Sequence, residues 1–182
     1  MKLVGLCGVA GSGKNTLADE MTKNLGYEQR ALAEPIRRSL YALNPDVVKS
    51  DGTIERVQEI VDSIGWDEAK RKHTEIRELL QKFGTEAGRD VHGENVWVDA
   101  LFNNFHGEKL VVTDVRFPNE AKAIQDRGGI IVRITREGYT PINAHVSEIA
   151  YTDQDYILVN EGTPEDLYKK FLEKVIVPLE FN

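Results

Sequence analysis

GVAGSGKNTLA, Gly8 to Ala18, decides how the rest of the chain is read. It holds Gly8, Gly13 and Lys14 at the spacing G-x-x-x-x-G-K. Placed between a strand and a helix, that pattern aims backbone N–H groups and a lysine at phosphate. Both flanks fit. Upstream, KLVGLC is apolar, too short for a helix and stopped by glycine, so it reads as a buried strand. Downstream, NTLADEMTKNL sets Leu17, Met21 and Leu25 at helical spacing and ends at Gly26. The departure is Asn15, which stands where a serine or threonine hydroxyl normally reaches Mg²⁺. Asn15 offers a carbonyl oxygen or an amide, which implies an ion held more through water, and Thr16 follows at once.

Outward from the loop, strand and helix patterns alternate. YEQRALAE reads as a short second strand, and Pro35 then stands where a first helical residue should, so a helix is expected over Glu34–Leu43. NPDVVKSDG is loop-like, TIERVQEIVDSIG reads as a helix, and DEAKRKHTEIRELLQKFG as another with Asp67 as N-cap. TEAGRDVHG has no clear pattern, and ENVWVDALFNNF is an amphipathic helix carrying Trp97. KLVVTDV and GIIVRIT are buried strands separated by the helix PNEAKAIQDRGG, which is the punctuation of a parallel sheet. REGYTPINAHVSE is turn-rich, YILVN is a fifth strand, and TPEDLYKKFLEKVI is a last helix with Thr163 as N-cap. Five short strands with intervening helices predict a three-layer α/β domain over 1–182.

Composition narrows the function. The chain has 182 residues, 41% hydrophobic, enough for one compact core. Its 30 acidic and 23 basic residues give a net charge of −7, which opposes nucleic acid or an anionic membrane as partner. Apolar runs are strand-length, far below the roughly 20 residues of a membrane helix. MKLVGLC runs straight into the glycine loop without a secretory signal, so the cytoplasm is expected. The single cysteine, Cys7, reads as buried packing, and four isolated histidines, His73 and His106 among them, leave no metal-ligand spacing.

A phosphate held by so acidic a chain needs local cations. If the acceptor is an alcohol, a base helps remove its proton. If it is a phosphate monoester, its second pKa near 6 leaves it largely dianionic at pH 7, and it needs arginine cover rather than a base. Arg37 and Arg38 lie early in the second helix, Arg89 in GTEAGRD, Arg116 in TDVRF and Arg136 in ITREG. Ligands of open α/β sheets bind outside the carboxyl ends of the strands, where Asp114, Arg116 and Arg136 are expected. Asp114 has three readings: an acidic partner of Mg²⁺ through water, a salt bridge to Arg116, or a cap for the next helix.

GVAGSGKNT, LAEPIRRSL, RELLQKFGTEAGRD with NVWVDAL, VVTDVRFPNEAKAI, and AHVSE followed by VNEGTPEDLYKKF together resemble the phage-type deoxynucleoside monophosphate kinases. That branch of the P-loop nucleoside monophosphate kinases often reads G-K-x-T, as Gly13 to Thr16 do. The resemblance implies a five-stranded parallel sheet of order 2-3-1-4-5, a helical substrate-binding insert over about 34–106 and a lid over about 136–150. It implies transfer of the ATP γ-phosphoryl group to a deoxynucleoside monophosphate, with Mg²⁺. Gly11, Ser12, Gly13, Lys14, Asn15 and Thr16 would hold the ATP phosphates, and Asn160 would border the adenine. Arg37 would meet the acceptor phosphate, Gln81, Thr85 and Arg89 would face the deoxynucleotide, and Trp97 would wall the base pocket, unless it is an ordinary core aromatic. Lys14, Asp114, Arg116 and Arg136 would be catalytic, with Asn15 and Asp114 near the metal. Glu120 reads as structural. His145 and Glu148 match the family pattern without an assigned role, and holding the lid's short helix is as good a reading as catalysis. A homodimer is compatible with this reading, and the compartment would be the host cytoplasm if a phage encodes it. The alternatives are a kinase of another small substrate, such as dephospho-coenzyme A, and an ATP-binding switch without turnover.

Overall fold

The computed structural model describes residues 2–49, 51–136, 138 and 153–180. The chain divides into two compact units, Met1–Leu32 with Asn103–Asn182, and Ala33–Phe102.

In the first unit, β1 (Leu3–Cys7), β2 (Glu28–Arg30), β5 (Leu110–Val112), β6 (Ile130–Thr135) and β7 (Tyr156–Val159) form one sheet in the order β2-β5-β1-β6-β7. All four pairings are parallel. Counted over these five strands alone the order is the expected 2-3-1-4-5, and the labels differ because two further strands lie in the other unit. Val4, Leu6, Val132 and Ile134 point to one face, where Leu17 and Met21 of α1 (Lys14–Leu25) and Leu167 and Phe171 of α8 (Pro164–Phe171) bury them. On the other face Gly5 lies so close to Ile131, Ile124 and Val115 that a Cβ there would overlap them. Ile124 belongs to α7 (Pro118–Gln125), which completes the third layer. Thr163 caps α8, its Oγ1 accepting from the Asp166 amide at 3.2 Å, as its sequence predicts. Beyond Phe171 the helix widens into a π segment, Leu172–Ile176, before α9 (Val177–Glu180).

The second unit starts with α2 (Ala33–Leu43), which stops where Asn44 takes a left-handed φ of 49°. The stretch read as loop holds β3 (Asp46–Val48), and the first residues read as helix hold its antiparallel partner β4 (Ile54–Arg56). Asp51 accepts from the Thr53 amide and hydroxyl, Gly52 supplies a φ of 82°, and Lys49–Glu55 and Asp46–Arg56 pair across the strands. α3 (Val57–Lys72) is interrupted at Gly65, with φ 72° and ψ 163°. Asp67 therefore lies inside a helix rather than capping one, and its carboxylate pairs with Lys70 at 2.8 Å. α4 (Thr74–Lys82) runs into a π-helical turn, Phe83–Arg89, followed by α5 (Asp90–His92) and α6 (Val96–Asn103). Leu40, Val47, Val57, Ile60, Ala69 and Ile76 form this unit's core.

Candidate active site

Because the five strands are parallel, the segments after β1, β5, β6 and β7 emerge at one edge of the sheet. The glycine loop after β1 is built by conformations that side chains resist. Gly8, Gly11 and Gly13 have φ of 128°, 80° and 111°. A Cβ on Gly8 would run into the Ile134 carbonyl oxygen, and one on Gly13 would lie 2.5 Å from the Asn160 amide nitrogen. Gly13 precedes α1, whose first turn carries no acidic residue and no side-chain cap. The positive helix end thus has no carboxylate of its own to satisfy it. Lys14 folds back so that Nζ donates to the carbonyls of Gly8 at 2.7 Å and Val9 at 2.8 Å. Ser12 is fully buried, and its Oγ has no hydrogen-bond partner among the described residues. Asn15 is exposed and Thr16 half-buried.

Asn160 joins this loop to the other end of the chain. Its side-chain amide donates to the Ser12 carbonyl at 2.9 Å, and its backbone N–H to Thr135 at 2.7 Å. Asn160, which the resemblance sets at the adenine, thus has its side-chain amide on the loop backbone.

At the neighbouring strand end, Thr113 donates to the Arg30 carbonyl and Val115 to that of Leu6. Asp114 Oδ1 accepts from the Leu32 amide at 2.6 Å, so this carboxylate also secures the start of the segment leading into α2. Arg116 is exposed. Glu120, 2% exposed, accepts from the backbone amides of Arg116 at 2.7 Å and Phe117 at 3.0 Å, which caps α7 and agrees with its structural reading. Arg136 follows β6 and is exposed. The rest of the lid-like segment, apart from Gly138, lies outside the described residues, His145 and Glu148 included.

A further cation escaped the sequence reading. Arg133 pairs with Cys7 across β6 and β1, half-buried. The signal was present, a charge inside the apolar run IIVRIT. Burial pushes the Cys7 thiol up to about 11, against the smaller opposing pull of Arg133 and then Lys14. Cys7 is therefore an inert packed thiol at neutral pH.

In the second unit, Arg37 is half-buried on α2, next to Ile36, whose Cδ1 lies 3.1 Å from where a Gly84 Cβ would stand. That contact seats α2 on the π turn carrying Thr85 and Arg89. Hydrogen bonding to Lys70 and, less strongly, the charge of Arg37 hold the Asp67 carboxyl below the usual range. Gln81 and Thr85 are exposed and Arg89 is half-buried. Trp97 is 7% exposed, with Nε1 donating to the Gly84 carbonyl at 2.7 Å. Trp97 is thus a buried aromatic tied to the π turn by its N–H. Ser12, Gly13 and Asn160 are thus brought into contact within one unit, with Lys14 on the Gly8 and Val9 carbonyls, and the Arg37 helix and the Thr85–Arg89 turn within the other.

The family model for deoxynucleotide monophosphate kinases matches residues 43–171. The chain is 31% identical to a protein of Acanthamoeba polyphaga mimivirus provisionally given that name, over 96% of each chain. It is 23% identical to the deoxynucleotide monophosphate kinase of Escherichia phage RB69, covering 97% of this chain and all of that one. Among solved structures, shikimate kinase from Aquifex aeolicus superposes with a TM-score of 0.53 at 15% identity over 99% of both chains, a likeness of fold.

Proposed function

The chain belongs to the deoxynucleotide monophosphate kinase family, and on that premise we propose that it catalyses ATP + dNMP → ADP + dNDP. The observation that carries the proposal is where the family match falls. Residues 43–171 hold the acceptor candidates Gln81, Thr85, Arg89 and Trp97 as well as Asp114, Arg116, Arg136 and Asn160.

The loop suits a polyphosphate. It offers left-handed glycines, a helix start without an acid, a lysine and the orphaned Ser12 hydroxyl. Lys14 and the loop amides, from Gly11 to Thr16, hold the β- and γ-phosphates. The oxygen donors of Asn15, Thr16 and Asp114 suit Mg²⁺, a hard cation that keeps several of its waters. When bound, the ion draws charge from the phosphate oxygens. Arg37 binds the acceptor phosphate, and Arg116 and Arg136 cover charge as the phosphoryl group moves. The acceptor oxygen of a dianionic monophosphate attacks the γ-phosphorus, the bond to the β-γ bridging oxygen breaks, and that oxygen leaves on ADP. No proton has to be removed, so positioning and charge supply the rate.

A coupled assay of ADP release across the deoxynucleoside monophosphates, the ribonucleoside monophosphates and dephospho-coenzyme A tests the proposal. The expected result is stimulation by one or more deoxynucleoside monophosphates. ADP release indifferent to every monophosphate would sink it in favour of an ATP-binding switch, and stimulation by dephospho-coenzyme A alone would favour the other kinase.

A further inference from the structure

We infer that Trp97 is a positioning residue for the acceptor: it props the π-helical turn Phe83–Arg89 so that Gln81, Thr85 and Arg89 share one edge. This rests on the proposed function, and it gives Trp97 a part other than touching the base.

Helical pitch sets where side chains four residues apart fall. In an α-helix, residues four apart overshoot a full turn by about 40°, so positions 81, 85 and 89 would fan across about 80° of surface. A π turn is closed by i→i+5 bonds and takes more residues per turn, so a four-residue step falls short instead. Here α4 ends at Lys82, the π segment follows over Phe83–Arg89, and the Asp90 amide donates to the Thr85 carbonyl five residues back. The step from Gln81 to Thr85 crosses the junction and the step from Thr85 to Arg89 lies within the π segment, so neither carries the full α-helical overshoot. The three polar side chains therefore fan across a narrower arc than they would on an α-helix.

The same four-residue repeat places Gly84 and Gly88, both buried, on the adjoining stripe. Gly84 seats Ile36 of α2, and Gly88 seats the indole of Trp97, which a Cβ at Gly88 would enter. Trp97 also donates to the Gly84 carbonyl at 2.7 Å and packs on Phe83 with ring centroids 6.0 Å apart. One side chain therefore touches the turn at its first, second and sixth residues. Glycine is a poor helix former, costing about 1 kcal/mol relative to alanine, and π turns are rare. A segment with two glycines and a wide turn needs support from outside its own backbone, and Trp97 supplies it.

The test is Trp97→Phe, which keeps an aromatic ring and removes the donor. The expected result is a rise in acceptor KM of about tenfold, the scale of one lost buried hydrogen bond, with ATP KM and kcat within about twofold. An unchanged acceptor KM, or an equal rise in both KM values, overturns the inference. A second measurement needs no change at Trp97. In Trp66→Phe, Trp97 is the only tryptophan, and its fluorescence should resist iodide equally with and without a deoxynucleoside monophosphate. Iodide quenching that the monophosphate relieves would make Trp97 a pocket wall and overturn the inference, also where Trp97→Phe fails to fold. A wild-type enzyme inactive on every monophosphate would remove the functional proposal instead, and the iodide result would still decide where the indole lies.

Discussion

The side-chain amide of Asn160 donates to the carbonyl of Ser12 across 148 residues of chain, at 2.9 Å. A residue just after the last strand thereby fixes the backbone of the first loop. Asn160→Ala should raise ATP KM about three- to tenfold, for a net hydrogen bond of roughly 0.5–1.5 kcal/mol, and leave acceptor KM unchanged in initial-rate kinetics. Equal KM values for wild type and variant would show that the loop holds its shape without this bond.

Lys14→Ala removes the ammonium proposed to hold the phosphates. By comparison with the loss of one charge-stabilising donor, kcat should fall about 10²–10³-fold. Circular dichroism should be unchanged, because the Gly8 and Val9 carbonyls that Lys14 serves border an open loop.

Arg37→Ala should act on the other substrate, raising KM for the monophosphate while ATP KM stays within about twofold. An acceptor KM equal to that of the wild type would remove the assignment. Arg37→Lys should recover only part, since an ammonium cannot grip phosphate with a planar fork.

Glu120→Ala separates structure from catalysis. It strips the partner from two backbone amides and should cost about 1–3 kcal/mol, or roughly 2–12 °C in Tm. The ratio of the two KM values should not move, and a selective change in either would place Glu120 in the site after all.

Cys7 and Tyr27 predict alkaline sensitivity. Burial raises Cys7 from 9.0 to about 11 and Tyr27 from 10.0 to about 12. Between pH 9 and 11 the unfolded chain has released the thiol proton while the folded chain keeps it. Stability due to the neutral thiol is thus complete below pH 9 and is lost as pH rises through 11. Urea melts should show wild type losing roughly 1–2 kcal/mol more than Cys7→Ala between pH 8 and 10.5. Parallel losses would contradict the shift.

The five-stranded half of the fold was legible because its signals are local. Glycine spacing, apolar strands and the Thr163 cap each act over a few residues. The β3–β4 hairpin was missed because DVV and IER bury only Val47, and its Asp51–Gly52–Thr53 turn resembles any polar loop. The π turn has no sequence period of its own, and Gly84 and Gly88 become meaningful only once Ile36 and Trp97 are seen against them. Trp97 itself was visible as an aromatic on an amphipathic helix. That its N–H serves a carbonyl thirteen residues back depends on how α6 folds over, which no local pattern encodes. Asp114 was placed at the strand end correctly, yet its bond to Leu32 spans 82 residues.

The two carbonyls that Lys14 engages also set a threshold for ligands. Gly8 and Val9 act as a resident competitor for the ammonium, at 2.7 and 2.8 Å. An anion gains from Lys14 only what it offers beyond these neutral acceptors. A weakly charged ion such as chloride or a carboxylate gains little in the exchange, whereas the concentrated charge of a polyphosphate gains much. On the proposed function, the loop would thereby filter the anions around it before any nucleoside is recognised.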